Sequence, residues 1–384
     1  MGDTLVEESK NPLKIAAPVA KQMLAWTLGK PGELSLDQKE VPLPDRSELL
    51  IRIDAVAVCA TDLDVIANGP PALINGTLPF NQGFTPGHEY MGTVAALGPG
   101  VDEYKVGERV AVEIHSGCGQ CKRCRSGMYT SCTNYGQNYG EHDKRHRANG
   151  FTTNGGFAQY AVNHVNTLVR VPDDMSDEEA ALAVTAGTSM YGFIELGGGL
   201  LAGEKVVVIG PGPIGLLAVG VAKALGAAPV ILVGTRENRL GLGKRLGADH
   251  LVNAKLCDAV EAVRSLTDGK GVDYVMDCAG TEETVNQAIL MCSRGGKICL
   301  AAFPHGRVGI DLGHAVMNNI YLYGIRGEGK SAVARAIALM AAKRFDATLI
   351  HTHTFGLADV PKAIQYARER IDGAIKVVVK PQSY

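Results

Sequence analysis

Apolar positions change their rhythm part-way along this chain. From Met23 to about Leu182 they come in short runs broken by Gly, Pro and charged residues: LLIRIDAVAV from Leu49, YMGTVAALGPG from Tyr90 and ERVAVEI from Glu108. Short strand-like runs with frequent turn signals predict a mostly-β region. From about Ala186 to Gly327 the rhythm becomes strand, helix, strand. KVVVIG, PVILVG, DYVMDCAG and GGKICLAAF are compact apolar runs, and PIGLLAVGVAKALG between the first two has helical spacing. That alternation predicts a parallel sheet wound with helices, an α/β domain. After Gly329, SAVARAIALMAAKRF and ADVPKAIQYARER read as helices and IKVVV as a closing strand. The expected division is 1–185 with 328–384 as one domain and 186–327 as the other. Residues 1–20 read as a leader, and no internal repeat or low-complexity tract is evident.

Length agrees with this division. At 384 residues, the chain is long enough for two or three domains. Apolar residues make up 46% and charged residues 20%, which excludes intrinsic disorder for most of the chain. Lys+Arg against Asp+Glu is 38 − 40 = −2, a balance that argues against a nucleic-acid partner and against an electrostatic membrane anchor. The longest uncharged stretch, Val206 to Ala222, is too short for a comfortable membrane span and is interrupted by Gly210, Pro211, Gly212, Pro213 and Gly215. The opening MGDTLVEESKNPLK has no apolar run and is no secretory signal, so a cytoplasmic location is the default expectation.

Within that uncharged stretch lies the first chemistry. Val206 to Ile209 reads as a buried strand, Gly210-Pro211-Gly212-Pro213-Ile214-Gly215 satisfies GxGxxG, and a helix follows at once. The motif alone is weak, but strand before and helix after make it a dinucleotide site. The glycines permit the tight turn, the approach of backbone to pyrophosphate and the packing of helix on strand. The helix N-terminus then faces the phosphates. An acid at the end of the next strand would favour NAD through the ribose 2′-hydroxyl. That strand, Val230 to Val233, ends instead in Gly234, Thr235 and Arg236. Arg236, with Arg239 as a second candidate, could pair with a 2′-phosphate, so NADP is expected over NAD.

Four of the nine cysteines fall within fifteen residues: Cys118, Cys121, Cys124 and Cys132, spaced C-x2-C-x2-C-x7-C. Reduced thiols clustered this way bind metal more often than they pair. Four thiolates make a closed, structural zinc site, with an iron–sulfur cluster as the alternative. Two further segments carry ligand types. Cys59-Ala60-Thr61-Asp62 follows a strand-like run, and Gly87-His88-Glu89 opens another. Spacing alone leaves a metal role for Cys59 and His88 open against ordinary core positions.

Taken in order, V-C-A-T-D, P-G-H-E-Y-M-G-T-V, the four-cysteine lobe and the GxGxxG unit resemble the zinc-containing medium-chain dehydrogenase/reductase family, which includes alcohol, polyol and threonine dehydrogenases. The resemblance runs from Met23 to Val379. It implies a GroES-like catalytic domain joined to a Rossmann domain, with the active site in the cleft between, and a homodimer or homotetramer. Carried over by residue, Cys59 and His88 match the catalytic zinc ligands, and Glu89 the adjacent glutamate that ligates zinc or sits just behind it. Thr61 matches the hydroxyl that takes the substrate proton, Asp62 the acid that orients the ligating histidine, and Ser189 a small hydroxyl residue near the nicotinamide.

Two positions depart from the family pattern. Its third ligand, a Cys or Glu, falls at Val184 or Thr185, and neither is a good zinc ligand. Either Glu89 completes the set or the catalytic zinc is weak or absent. A histidine often found five residues after the first ligand is Asp64 here, which could pass a proton to solvent or bind a ribose hydroxyl, or be an ordinary surface acid. The function implied is hydride transfer between a secondary alcohol, polyol or sugar and NAD(P), with one catalytic and one structural zinc. Alternatives are a zinc-free quinone or enone reductase of the same superfamily and a non-catalytic NADP-binding protein. Asn68 to Thr85 and Asn134 to Asn154 are expected to border the cleft. The latter holds His142, Arg145, His146 and Arg147, which could meet an anionic substrate, although a charge run in a loop is more often merely solvated.

Overall fold

The computed structural model describes residues 14–15 and 147 by backbone, and 19–69, 83–134, 148–151, 153–194, 198–304, 306–329 and 331–383 in full. The chain divides into two compact units, Met1–Ala181 with His353–Tyr384, and Leu182–Thr352.

In the first unit the central strand is β1 (Glu48–Ala57), followed by helix α1 (Ala60–Asn68) and strand β2 (Glu89–Leu97). Strands β3 (Arg109–Val112) and β4 (Leu168–Arg170) extend the sheet beyond β2. On the other side of β1 lies the C-terminal strand Lys376–Lys380. Every neighbour of β1 runs antiparallel to it, which matches the mostly-β expectation. The register carries functional weight. Ala57 is paired with Glu89 on one flank and with Val378 on the other, so residues remote in sequence meet where β1 ends. Alternating side chains of β1 (Leu49, Ile51, Ile53) and of β2 (Tyr90, Val94) fill a core that also takes in Trp26, Phe157 and Val377.

The second unit begins with helix α2 (Ala183–Ile194) and strand β5 (Val206–Ile209), then helix α3 (Pro213–Ala224) and strand β6 (Val230–Gly234). Strands β7 (His250–Asn253), β8 (Val272–Asp277), β9 (Cys292–Leu300) and β10 (Tyr321–Gly324) complete a wholly parallel sheet in the order β7-β6-β5-β8-β9-β10. Numbered within the unit, this is 3-2-1-4-5-6, the Rossmann order, with a switch point at β5 where the glycine turn begins. All four residues of β5 are buried, as a central parallel strand demands.

Helix α4 (Ala332–Ala341) also belongs to this unit, so the unit runs past the expected limit of 327. The reason is close packing on α2. A Cβ at Gly187 would lie 2.5 Å from Val333 Cγ2, and Ala332, Val333, Ala336 and Ile337 are buried. Among the described residues no helix is long and apolar enough to cross a membrane.

Candidate active site and metal centres

Cys59 ends the run of β1 and sits at the N-cap of α1. Its backbone N–H would be unsatisfied at a helix start, and Asp62 Oδ2 accepts it at 2.9 Å. The other oxygen of the same carboxylate, Oδ1, lies 2.8 Å from His88 Nδ1. Asp62 is 1% exposed, so both bonds form away from water. His88 is held from its own side by Gly87, whose φ of +92° a side chain would disfavour and whose Cβ would lie 3.0 Å from Phe157 N. Phe151 packs against the imidazole with ring centroids 4.7 Å apart.

Ligand atoms of Cys59, His88 and Glu89 lie within 4.8 Å of one another. Burial would lower the His88 pKa, but the Asp62 carboxylate and the Cys59 sulfur overcome it and raise the pKa well above its ordinary value. The cluster therefore attracts positive charge. A thiolate, an imidazole and a carboxylate form a donor set suited to zinc. Asp62 supplies the outer hydrogen bond that ligating histidines need. Among the described residues, the third donor grouped with Cys59 and His88 is Glu89. Thr61 Oγ1 is 3.7 Å from Cys59 Sγ, and Asp64 is exposed on α1.

One residue here was not anticipated. Lys376 is 2% exposed, and its ammonium bonds Glu89 Oε2 and donates to Val58 O at 3.3 Å. Burial would lower its pKa, but Glu89, Cys59 and Asp62 together raise it. Nothing local marks Lys376 in the sequence, because IKVVVK reads as an ordinary strand and its partner lies 287 positions away.

The four-cysteine lobe forms a second donor cluster, again with all ligand atoms within 4.8 Å. None of the nine cysteines is in a disulfide. Cys121 Sγ lies 3.5 Å from Cys124 Sγ, and backbone N–H groups point at the sulfurs: Cys121 N at Cys118 and Cys124 N at Cys121, each 3.4 Å. These bonds favour thiolates. The Cys124 N–H leads in bringing the Cys121 thiol down to about 5, while burial pushes Cys124 up.

In the second unit, a Cβ at Gly215 would lie 2.0 Å from Gly210 O, so helix α3 starts as close to the turn as backbone allows. Gly212, the N-cap, would meet nothing within 4 Å, which leaves that face of the turn open to a ligand. Pro213 occupies the first turn, where a missing N–H costs nothing. Ser189 donates to Ile214 O at 2.9 Å and is fully buried, so its hydroxyl braces the glycine turn. A Cβ at Gly234 would lie 2.6 Å from Pro211, which excludes any side chain there. Thr235 is exposed and Arg236 half-buried. Arg239 is buried, with Nη1 3.5 Å from Pro211 O. Residues 70–82, with His142, Arg145 and His146, lie outside the described residues, as does the Arg147 side chain.

Comparison with known proteins meets this geometry. Residues 45–173 match an alcohol dehydrogenase GroES-like domain, and 213–342 match a zinc-binding dehydrogenase domain. The sorbitol dehydrogenase of Bacillus subtilis is 30% identical over 94% of this chain and 98% of its own length. The chain belongs to the zinc-containing medium-chain dehydrogenase family. The L-threonine 3-dehydrogenase of Pyrococcus horikoshii is 32% identical over 80% of this chain and 84% of its own. A candidate zinc-binding dehydrogenase from Sinorhizobium meliloti 1021, solved with NADP, superposes with a TM-score of 0.83 at 26% identity, covering 94% of this chain and all of that one. As a medium-chain dehydrogenase, this protein is an NAD(P)-dependent alcohol oxidoreductase that uses zinc and a nicotinamide cofactor.

Proposed function

We propose that this dehydrogenase oxidises a secondary alcohol, carried on a polyol or sugar, to the ketone with NADP, and runs the reduction on the same residues. The observation that carries the reading is the Cys59–His88–Glu89 set, with His88 and Glu89 buried and the two oxygens of Asp62 bonded to Cys59 N and His88. Those three side chains would hold the catalytic zinc. When bound, zinc would supply Lewis acidity toward the substrate oxygen and the nicotinamide would supply a hydride acceptor for the carbinol carbon. Asp62 Oδ1 keeps the His88 proton on Nδ1, so Nε2 remains the donor to the ion. Thr61 Oγ1 accepts the alcohol's proton as it passes its own onward, and exposed Asp64 hands it to solvent. The balance is alcohol plus oxidised cofactor giving ketone, reduced cofactor and one proton.

For the cofactor, Gly210, Gly212, Pro213, Ile214 and Gly215 cradle the pyrophosphate at the start of α3, braced by Ser189. Gly234 and Thr235 place no carboxylate against a 2′-phosphate, and Arg236 pairs with it. Arg239, with Nη1 3.5 Å from Pro211 O at the same turn, is the second candidate for that phosphate. The four-cysteine lobe carries a structural zinc. A homodimer or homotetramer is the assembly we infer. The exposed Val316, Met317 and Tyr321 beside the edge strand β10 support it, being apolar surface that a partner would cover.

A panel of secondary alcohols, polyols and sugars, with both nicotinamides and read at the absorbance of the reduced cofactor, tests the reaction. Metal analysis belongs beside it. Two zinc ions per chain and turnover with NADP above NAD are expected. One zinc or none, with no alcohol oxidised, sinks the reading. Arg236→Ala should lower kcat/KM for NADP about tenfold and leave NAD unchanged.

A further inference from the structure

We propose that Lys376 is a positioning residue for the catalytic ion: its ammonium holds one carboxylate oxygen of Glu89 and so turns the other toward the metal. The proposal rests on the assignment of zinc to Cys59, His88 and Glu89.

Three observations carry it. Lys376 is buried and reaches two places at once, Glu89 Oε2 and, at 3.3 Å, the carbonyl of Val58, the residue before Cys59. Its ammonium is thus fixed relative to both metal-bearing segments. The register explains how: Val58 N–H donates to Val377 O at 2.8 Å, and Ala57 pairs with both Glu89 and Val378. The end of β1 therefore docks Glu89 on one flank and Lys376 on the other. Charge is the third observation. With zinc bound, Cys59 as thiolate and Asp62 and Glu89 as carboxylates would bring three negative charges, and the Lys376 ammonium bonded to Glu89 brings one positive. A divalent ion then brings the buried set to neutrality, which a low-dielectric site requires. Without the lysine, the same set with zinc keeps one uncompensated negative charge.

Two forces oppose each other in this arrangement, and their sum is measurable. Simple Coulomb repulsion between ammonium and zinc predicts that removing the lysine tightens zinc binding. Positioning predicts that removing it loosens binding, because Glu89 loses the bond that orients it. Partners of ligating side chains are typically worth about 10- to 100-fold in metal affinity, which makes positioning the larger effect.

The test uses the full-length protein and zinc itself, competed against a chelator of known affinity. Lys376→Met should weaken the catalytic site about 10- to 100-fold, and Lys376→Arg should restore most of it. In a Glu89→Gln background, Lys376→Met should cost little more, because the lysine acts through Glu89. Cobalt substituted at the site should change its visible spectrum in Lys376→Met. Zinc affinity equal to or tighter than wild type overturns the proposal. So does a lowered melting temperature of the metal-free protein with unchanged affinity, which marks a purely structural ion pair. Should the Met variant not fold, Lys376→Gln carries the same reading: weaker zinc supports it and unchanged zinc overturns it. A wild-type protein that binds only the ion of the four-cysteine lobe overturns the site assignment itself, a result distinct from any behaviour of Lys376.

Discussion

The two donor clusters of the first unit are built in opposite ways. The four-cysteine lobe draws its ligands from fifteen consecutive residues and orients them by its own backbone N–H groups. The Cys59–His88–Glu89 cluster is assembled by the sheet: β1 delivers Cys59, β2 delivers Glu89, and the C-terminal strand delivers Lys376. A closed set of four thiolates suits an ion that holds a lobe together. A three-ligand set at the end of the sheet's central strand, with side chains that fix its geometry from behind, suits an ion that must exchange a ligand. The difference predicts that damage to the first shows as stability and damage to the second shows as catalysis.

The sharpest break would come from Cys59→Ala. Turnover should fall at least about 10³-fold, one zinc per chain should be lost, and cofactor binding should remain, as read by kinetics, metal analysis and nucleotide titration. Retained turnover would overturn the catalytic assignment. Cys124→Ser should do the reverse. Its sulfur is buried against the other three, so the lobe should lose its ion and unfold locally, with a lower melting temperature. Turnover per folded molecule should stay near wild type. If Cys59→Ala lowers the melting temperature as much as Cys124→Ser does, the division into catalytic and structural clusters fails.

These contrasts also explain what was legible in the chain. The lobe could be read from spacing because its ligands are neighbours. The strand–turn–helix of Val206 to Ala224 was equally local, and the parallel sheet around it followed from alternation. Cys59 and His88 lie 29 positions apart, too far for spacing alone to join them. Lys376 was invisible, since a lysine at the start of an apolar strand gains meaning only from the strand beside it. The same holds for α4, whose apolar stripe does not say which unit it packs on. Ser189 and Arg239 each bond a backbone carbonyl of the glycine turn, a contact that spacing does not show. Pairwise tertiary contacts of single side chains are the part a pattern of apolar residues does not carry.

Asp62→Asn is the next effect in size. Asn keeps one acceptor and replaces the other with a donor, so either the Cys59 N–H or His88 Nδ1 loses its partner. Zinc affinity at the catalytic cluster should fall about 10- to 100-fold while the lobe keeps its ion, a difference that site-resolved metal titration reads. Equal loss at both sites would mean that Asp62 acts on folding and not on the ion.

The smallest effects come from the turn glycines of the two clusters. Gly119 has φ +69°, and an added Cβ would meet nothing within 4 Å, so Gly119→Ala meets only the left-handed backbone cost of about 1 kcal/mol. Gly87 has φ +92° and an added Cβ would also press Phe157, with the backbone N at 3.0 Å and ring atoms at 3.1 and 3.2 Å. Phe157 is fully buried and cannot swing clear, so the strain passes to the neighbour of Gly87, which is His88. Gly87→Ala should therefore lower kcat/KM as well as the melting temperature, whereas Gly119→Ala should lower the melting temperature alone. A Gly87→Ala enzyme with unchanged kinetics would show that the imidazole is held by Asp62 on its own, and that the sheet contributes less to the catalytic geometry than its register suggests.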